Sequence, residues 1–161
     1  MKKLFQLGLI AAVSLSSFLT KATEPEVMPL PSLPTKILRP DNLVDYPADC
    51  LEKSNEAYRI LQMEEPGAEE LRKGVALLIE TAQAGDSYSL EKLANMALYG
   101  QYSIPKNIEW AINTFIYLID NGAVGVWNTL NAIDPKAVEL LESGKKEEAR
   151  RLFIETWART H

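Results

Sequence analysis

Few residues in this chain have the types and spacing that catalysis requires. The single histidine, His161, is the last residue, and nothing in the sequence would hold it in place. The single cysteine, Cys50, has no histidine nearby in sequence to take its proton. It cannot form an internal disulfide, and it reads as a half-buried core thiol, with a mixed-disulfide or redox contact as the alternative. The sequence contains no phosphate loop, no dinucleotide fingerprint, no HExxH and no Cys/His ligand spacing. Carboxylates cluster at Glu64, Glu65, Glu69 and Glu70, but no apolar surround marks a pocket that would raise a pKa. They read as solvated surface with a favourable helix N-terminal dipole contribution, or as a binding patch. An enzyme is therefore not expected, nor a cofactor, nor a metal.

Side chains suited to contact are better represented. Tyr88, Glu91, Lys92, Asn95, Met96 and Tyr99 fall off the apolar stripe of one segment, and Trp127, Asn128 and Asn131 occupy the comparable region of the next. Asparagine can clamp a partner backbone through both amide functions, and tyrosine and tryptophan are preferred contact anchors. Tyr88, Glu91, Asn95, Tyr99, Trp127 and Asn131 are accordingly the candidate partner-binding residues. For Tyr99 and Trp127 a competing reading stands, in which they fill the core between repeats.

The elements that must position these residues centre on Ser87 to Gly122. Leu90, Leu93, Ala94, Ala97 and Leu98 recur at helical spacing, with Ser87 as N-cap, Gly100 as stop and Pro105 barring continuation. A second helix restarts near Asn107 and carries Ile108, Trp110, Ala111, Ile112, Phe115, Ile116, Tyr117, Leu118 and Ile119. That set covers most of the circumference and predicts burial on more than one side. Asn121-Gly122 ends it, and so short a turn makes the two helices antiparallel neighbours. Gly74 and Gly85 repeat the spacing of Ala111 and Gly122, so Leu71 to Gly85 reads as the second helix of an earlier unit. A period of about 36 residues is the signature of a helical solenoid.

This pattern resembles the Sel1-like repeat, a relative of the tetratricopeptide repeat. Leu93, Ala94, Ala97 and Gly100 take the first-helix positions. Ala111, Phe115, Leu118, Ile119 and Gly122 take the second-helix positions, while Gly74, Thr81, Ala82 and Gly85 take the equivalent end of the preceding unit. Ala94 stands in place of the family's usual Gly, Ala97 of its Tyr, Thr114 of its Trp and Leu118-Ile119 of Ala-Ala. The resemblance covers Cys50 to the C-terminus. It implies an all-α fold, a short right-handed α-solenoid of antiparallel helix pairs, whose concave face binds a protein or peptide.

Outside the repeat region, Lys2-Lys3 and the apolar run Leu4 to Leu19 have the pattern of a cleavable export signal. Thr20-Lys21-Ala22 places cleavage after Ala22, and the short basic start points to a bacterial periplasm. No membrane insertion is expected after cleavage. Residues 23–48 form a proline-rich linker, with Pro25, Pro29, Pro31, Pro34, Pro40 and Pro47 excluding helix. This linker could be an extended tether, a PxxP ligand at Pro-Leu-Pro-Ser-Leu-Pro, or a cover in which Leu30, Leu33, Ile37 and Leu38 lie along an open end. Residues 49–161 are the repeat domain. Its first helix runs Asp49 to Met63, with Leu51, Ala57, Tyr58 and Leu61 apolar, and its second runs from Ala68 to Ala84. A short helix passes through Trp127, Leu130 and Ile133, and another begins at Asp134-Pro135. A last helix runs from Lys145 to Arg159, with Ala149, Leu152, Phe153, Thr156 and Trp157 on one stripe.

Over 161 residues, 17 Lys and Arg against 22 Asp and Glu give a net charge of −5, and loss of Lys2, Lys3 and Lys21 would make it −8. Such a charge argues against nucleic acid and favours a basic protein partner. The resulting expectation is a periplasmic interaction module, an inhibitor or immunity protein or an envelope-assembly accessory. A cell-wall-acting hydrolase and a structural spacer are the alternatives.

Overall fold

In the computed structural model, which describes residues 27–38 and 46–161, seven helices follow one another without an intervening strand. They are α1 (Ala48–Leu61), α2 (Ala68–Gln83), α3 (Ser87–Tyr99), α4 (Ile108–Asp120), α5 (Val126–Ile133), α6 (Pro135–Glu142) and α7 (Lys146–Thr160). The only β feature among the described residues is an isolated bridge between Leu38 and Asp86. The protein is all-α. None of these helices is long and apolar enough to cross a membrane. The expected leader and its cleavage point lie outside the described residues.

Four of the helix starts have a local cause in capping chemistry. Asn107 caps α4, its Oδ1 accepting from Trp110 N at 2.9 Å. Asp134 caps α6 by accepting from Lys136 N and Ala137 N, with Pro135 at the first helical position, where its missing N–H costs nothing. At α2, Glu70 reaches back to accept from Gly67 N at 2.9 Å. One expected cap is corrected: α3 is capped by Asp86, not by Ser87. The Asp86 side chain accepts from Ser89 N at 3.0 Å, and Ser87 is the first helical residue.

Consecutive helices pack against each other from α1 through α7, and α7 folds back to lie on α4 and α5 as well as α6. The fully buried side chains Leu78, Leu90, Leu93, Leu98, Ile112, Phe115, Leu118, Leu130 and Phe153 form one continuous core through the stack. Each contributes about 1.5–3 kcal/mol relative to leaving it in water. Gly74 of α2 packs tightly against α1: a β-carbon there would lie 3.0 Å from Ile60 Cγ2.

The expected stripe of α1 is rotated. Cys50, Ser54, Ala57 and Ile60 face inward, while Leu51 and Tyr58 are exposed. The cause is Asp86, only 1% exposed, which accepts from Ser54 Oγ at 2.9 Å, from Ser89 Oγ and N, and from the Tyr46 hydroxyl. Thr81 Oγ1 lies 2.7 Å from Ser89 Oγ and completes the group. A buried carboxylate demands such partners. Four segments, α1, α2, α3 and the turn before α1, are therefore tied at one polar point. Cys50 is buried beside it, and burial, with Asp86 nearby, pushes its thiol up to about 11.

The proline-rich segment is not a free tether where it is described. Met28, Leu30, Leu33 and Ile37 pack on the core, and Leu38 is buried. Met28 N donates to Ser103 O at 2.9 Å and Leu38 N to Gly85 O at 2.7 Å. Gly85 permits this approach, because its φ is +100° and a β-carbon would fall 2.2 Å from the Lys36 carbonyl oxygen.

Candidate functional site

The candidate partner-binding residues lie on α3 and α5. On α3, Glu91 and Lys92 lie three and four residues after Tyr88, Asn95 follows at four and three from them and Tyr99 at four more, so the five form one stripe opposite the buried leucines. Tyr88, Glu91, Lys92 and Asn95 are half-buried and Tyr99 is 52% exposed. Met96, named above with this group, belongs instead to the core.

Tyr88 meets Tyr58 of α1 edge to face, centroids 5.5 Å apart at 75°. The Lys92 ammonium lies 5.2 Å from the Tyr88 ring centroid and 5.9 Å from that of Tyr58. Cation and rings of this kind attract by about 0.5–1 kcal/mol at partly exposed sites. Burial, then the hydrogen bond with Tyr58, holds the Tyr88 phenol above its usual range. Lys92 makes no salt bridge with a described residue, in contrast to Lys53, Arg59 and Lys73 on the neighbouring helices.

Between α1 and α3 lies a cavity of about 250 Å³, lined by Tyr58, Leu61, Gln62, Lys92, Asn95, Met96, Gln101 and Tyr102. Its walls combine three amides, two phenols and one ammonium over the apolar Leu61 and Met96. Tyr102 (φ 54°) and the adjacent Ser103 (φ 64°) are left-handed. A bulky residue held there costs on the order of 1–2 kcal/mol, and such strain clusters at functional surfaces.

Glu91 sits deeper on the other flank. Its carboxyl is raised by burial, against a smaller lowering effect of Lys92, and its Oε2 lies 3.8 Å from where a Gly125 β-carbon would be. Thus Glu91 faces the start of α5. Asn95 Nδ2 donates one of its two N–H groups to Glu91 O at 3.0 Å, so its second N–H and its amide oxygen remain for a partner.

Tyr99 does not fill the core. It packs edge-on to Trp157 at 5.0 Å, and the His161 ring stacks on Trp157 at 3.8 Å and 9°. His161 is thereby held, contrary to the sequence expectation, with Thr160 Oγ1 2.9 Å from its Nδ1. Trp157, 4% exposed, buries an Nε1 with no acceptor among the described residues. Trp127 is half-buried against the core and Asn131 is exposed on α5. No hydrogen bond or ring contact among the described residues joins either to the α3 stripe. The structure therefore gathers Tyr88, Glu91 and Asn95, places Tyr99 in a separate aromatic group, and leaves Trp127 and Asn131 one helix further on.

A larger cleft of about 860 Å³ opens along α1, lined by residues including Asp49, Lys53, Glu56, Arg59 and Lys73. Its charges already neutralise one another, Lys53 with Asp49 and Glu80, and Glu56 with Arg59 and Lys73. Those two cations hold the Glu56 carboxyl down to about 2, Arg59 contributing most. A surface already paired has less to offer a ligand, so the smaller cavity is the better candidate. Among the described residues no group of three or more His, Cys, Asp or Glu is placed to hold a metal ion.

Sequence reasoning missed Tyr58, Gln62, Gln101 and Tyr102 as cavity walls. Tyr58 falls near the apolar stripe of α1 and so reads as core in the sequence; the others carry no periodic signal. Compared with known proteins, the chain matches no family model, no curated protein and no solved structure.

Proposed function

We propose that this chain is an exported protein-interaction module of the Sel1-like kind, a short right-handed α-solenoid working in the periplasm. It grips a protein partner with the face shared by α1, α3 and α5. The observation that supports this most is the set of Tyr58, Tyr88 and Lys92 beside the α1–α3 cavity. Two rings and a cation are held in fixed relation before any partner arrives, which lowers the ordering cost of binding. Lys92 and the amides of Gln62, Asn95 and Gln101 offer polar contacts, and the tyrosines offer anchors. The net charge of −5 favours fast association with a basic partner, as an inhibitor or an envelope-assembly accessory would require.

Capture from envelope extract tests this reading. The wild type retains a discrete protein, and Tyr88→Ala combined with Asn95→Ala releases it by about tenfold or more, since one hot-spot residue is worth upwards of about 1.4 kcal/mol. Helicity by circular dichroism stays unchanged. Equal retention by the folded variant refutes the assignment of the face.

A further inference from the structure

The motif Pro29-Leu30-Pro31-Ser32-Leu33-Pro34 is explained neither by the helical core nor by the α3 face. It lies along α4, where Trp110 Nε1 donates to the Pro31 carbonyl at 3.0 Å and the Tyr117 hydroxyl donates to the Pro34 carbonyl. Pro31 is buried, and Leu30 and Leu33 are half-buried on the core. The two accepting carbonyls are those of the PxxP prolines themselves.

The spacing of donors and acceptors matches. An extended proline chain advances about 3.1 Å per residue, so carbonyls three residues apart recur at about 9.3 Å. A helix advances about 1.5 Å per residue, so residues 110 and 117 stand about 10.5 Å apart on one face. The two periods agree to about 1 Å. Prolines supply a preset backbone and no N–H, leaving carbonyls as the groups to be read. Aromatic donors that read such carbonyls respond to backbone shape, as grooves for polyproline peptides do. The segment is also held at Met28 N, which donates to Ser103 O, and at Leu38, whose N donates to Gly85 O and whose O accepts from Ser87 N.

We propose that the α4 face bearing Trp110 and Tyr117 is a recognition site for extended PxxP peptides, filled here by the chain's own residues 27–38. A proline-rich segment of another protein takes the same seat when the resident one leaves. This site lies apart from the α3 face and does not depend on the function proposed for it. Being tethered, the resident segment competes at an effective concentration on the order of millimolar.

The test uses a fluorescent peptide of residues 27–38, titrated by anisotropy into the full chain and into a chain cut at a protease site inserted between residues 39 and 45. The cut chain binds saturably and at least tenfold more tightly than the uncut one, because the tethered competitor is gone. A peptide with Pro31→Ala and Pro34→Ala binds the cut chain at least tenfold more weakly, and Tyr117→Phe in the cut chain weakens the native peptide several-fold. Absence of saturable binding to the cut chain overturns the proposal, as does equal binding by cut and uncut chains. Equal binding of the alanine peptide overturns it too, and that arm requires no change in the protein.

Discussion

Replacing Asp86 by alanine removes the point at which α1, α2 and α3 are tied. The wild-type side chain accepts from Ser89 N at 3.0 Å, from Ser54 Oγ at 2.9 Å, from Ser89 Oγ and from the Tyr46 hydroxyl. Loss of the N-cap costs about 1 kcal/mol. Each buried donor left without a partner costs about 1–3 kcal/mol. Ser89 Oγ keeps Thr81 at 2.7 Å and Ser54 retains only a 3.4 Å contact with Ser89, so the full penalty is not reached for every group. The sum is about 3–5 kcal/mol, a large part of the 5–15 kcal/mol typical of a whole domain. Asp86→Asn separates shape from charge. Its amide oxygen can replace Oδ2, the oxygen that serves Ser54 and Ser89, while its nitrogen faces Tyr46, so the cost falls to about 1–2 kcal/mol. Urea unfolding followed by circular dichroism reads both. A cost below about 1 kcal/mol for Asp86→Ala, or equal costs for the two variants, would refute the reasoning, because the network would then be replaceable by water.

Two further outcomes follow from local geometry. Gly85→Ala places a β-carbon 2.2 Å from the Lys36 carbonyl oxygen at a φ of +100°, so residues 27–38 lift from the helices. Trypsin then cuts after Lys36 at least tenfold faster, whereas an unchanged cutting rate would show that the contact is dispensable. Glu91 has a folded pKa raised by burial, so its contribution is fully present below the unfolded carboxylate range and is lost as pH rises through the folded value. Glu91→Gln should remove that loss: the wild-type urea midpoint falls across this window more than the variant's does, and parallel pH profiles would contradict the assignment.

How far the fold was legible depended on the kind of signal each residue carries. Leu90, Leu93, Ala94, Ala97 and Leu98 announced α3 because apolar residues at helical spacing have one solution, a buried stripe. Asn107 and Asp134-Pro135 announced helix starts because capping is local chemistry. The stripe of α1 was misplaced because Ser54 is polar and Leu51 is not. Only the position of Asp86, more than thirty residues away, makes the serine the inward residue. The same blindness to distant partners explains His161, which its position at the chain end could not show to be stacked on Trp157. Among the candidate contacts, helical spacing brought Tyr88, Glu91 and Asn95 to one face. Tyr102 was invisible because a left-handed tyrosine in a turn has no pattern to read.

The central claim is that the α3 stripe, beside the α1–α3 cavity, is where a partner docks. Photo-crosslinking in cells tests it most directly, with a benzoyl-phenylalanine side chain introduced at Tyr58 or Asn95, and at Glu155 on the exposed side of α7 as the control. The account expects one discrete crosslinked protein from the first two positions and none from Glu155. No adduct from Tyr58 and Asn95, or the same adduct from Glu155, would contradict it.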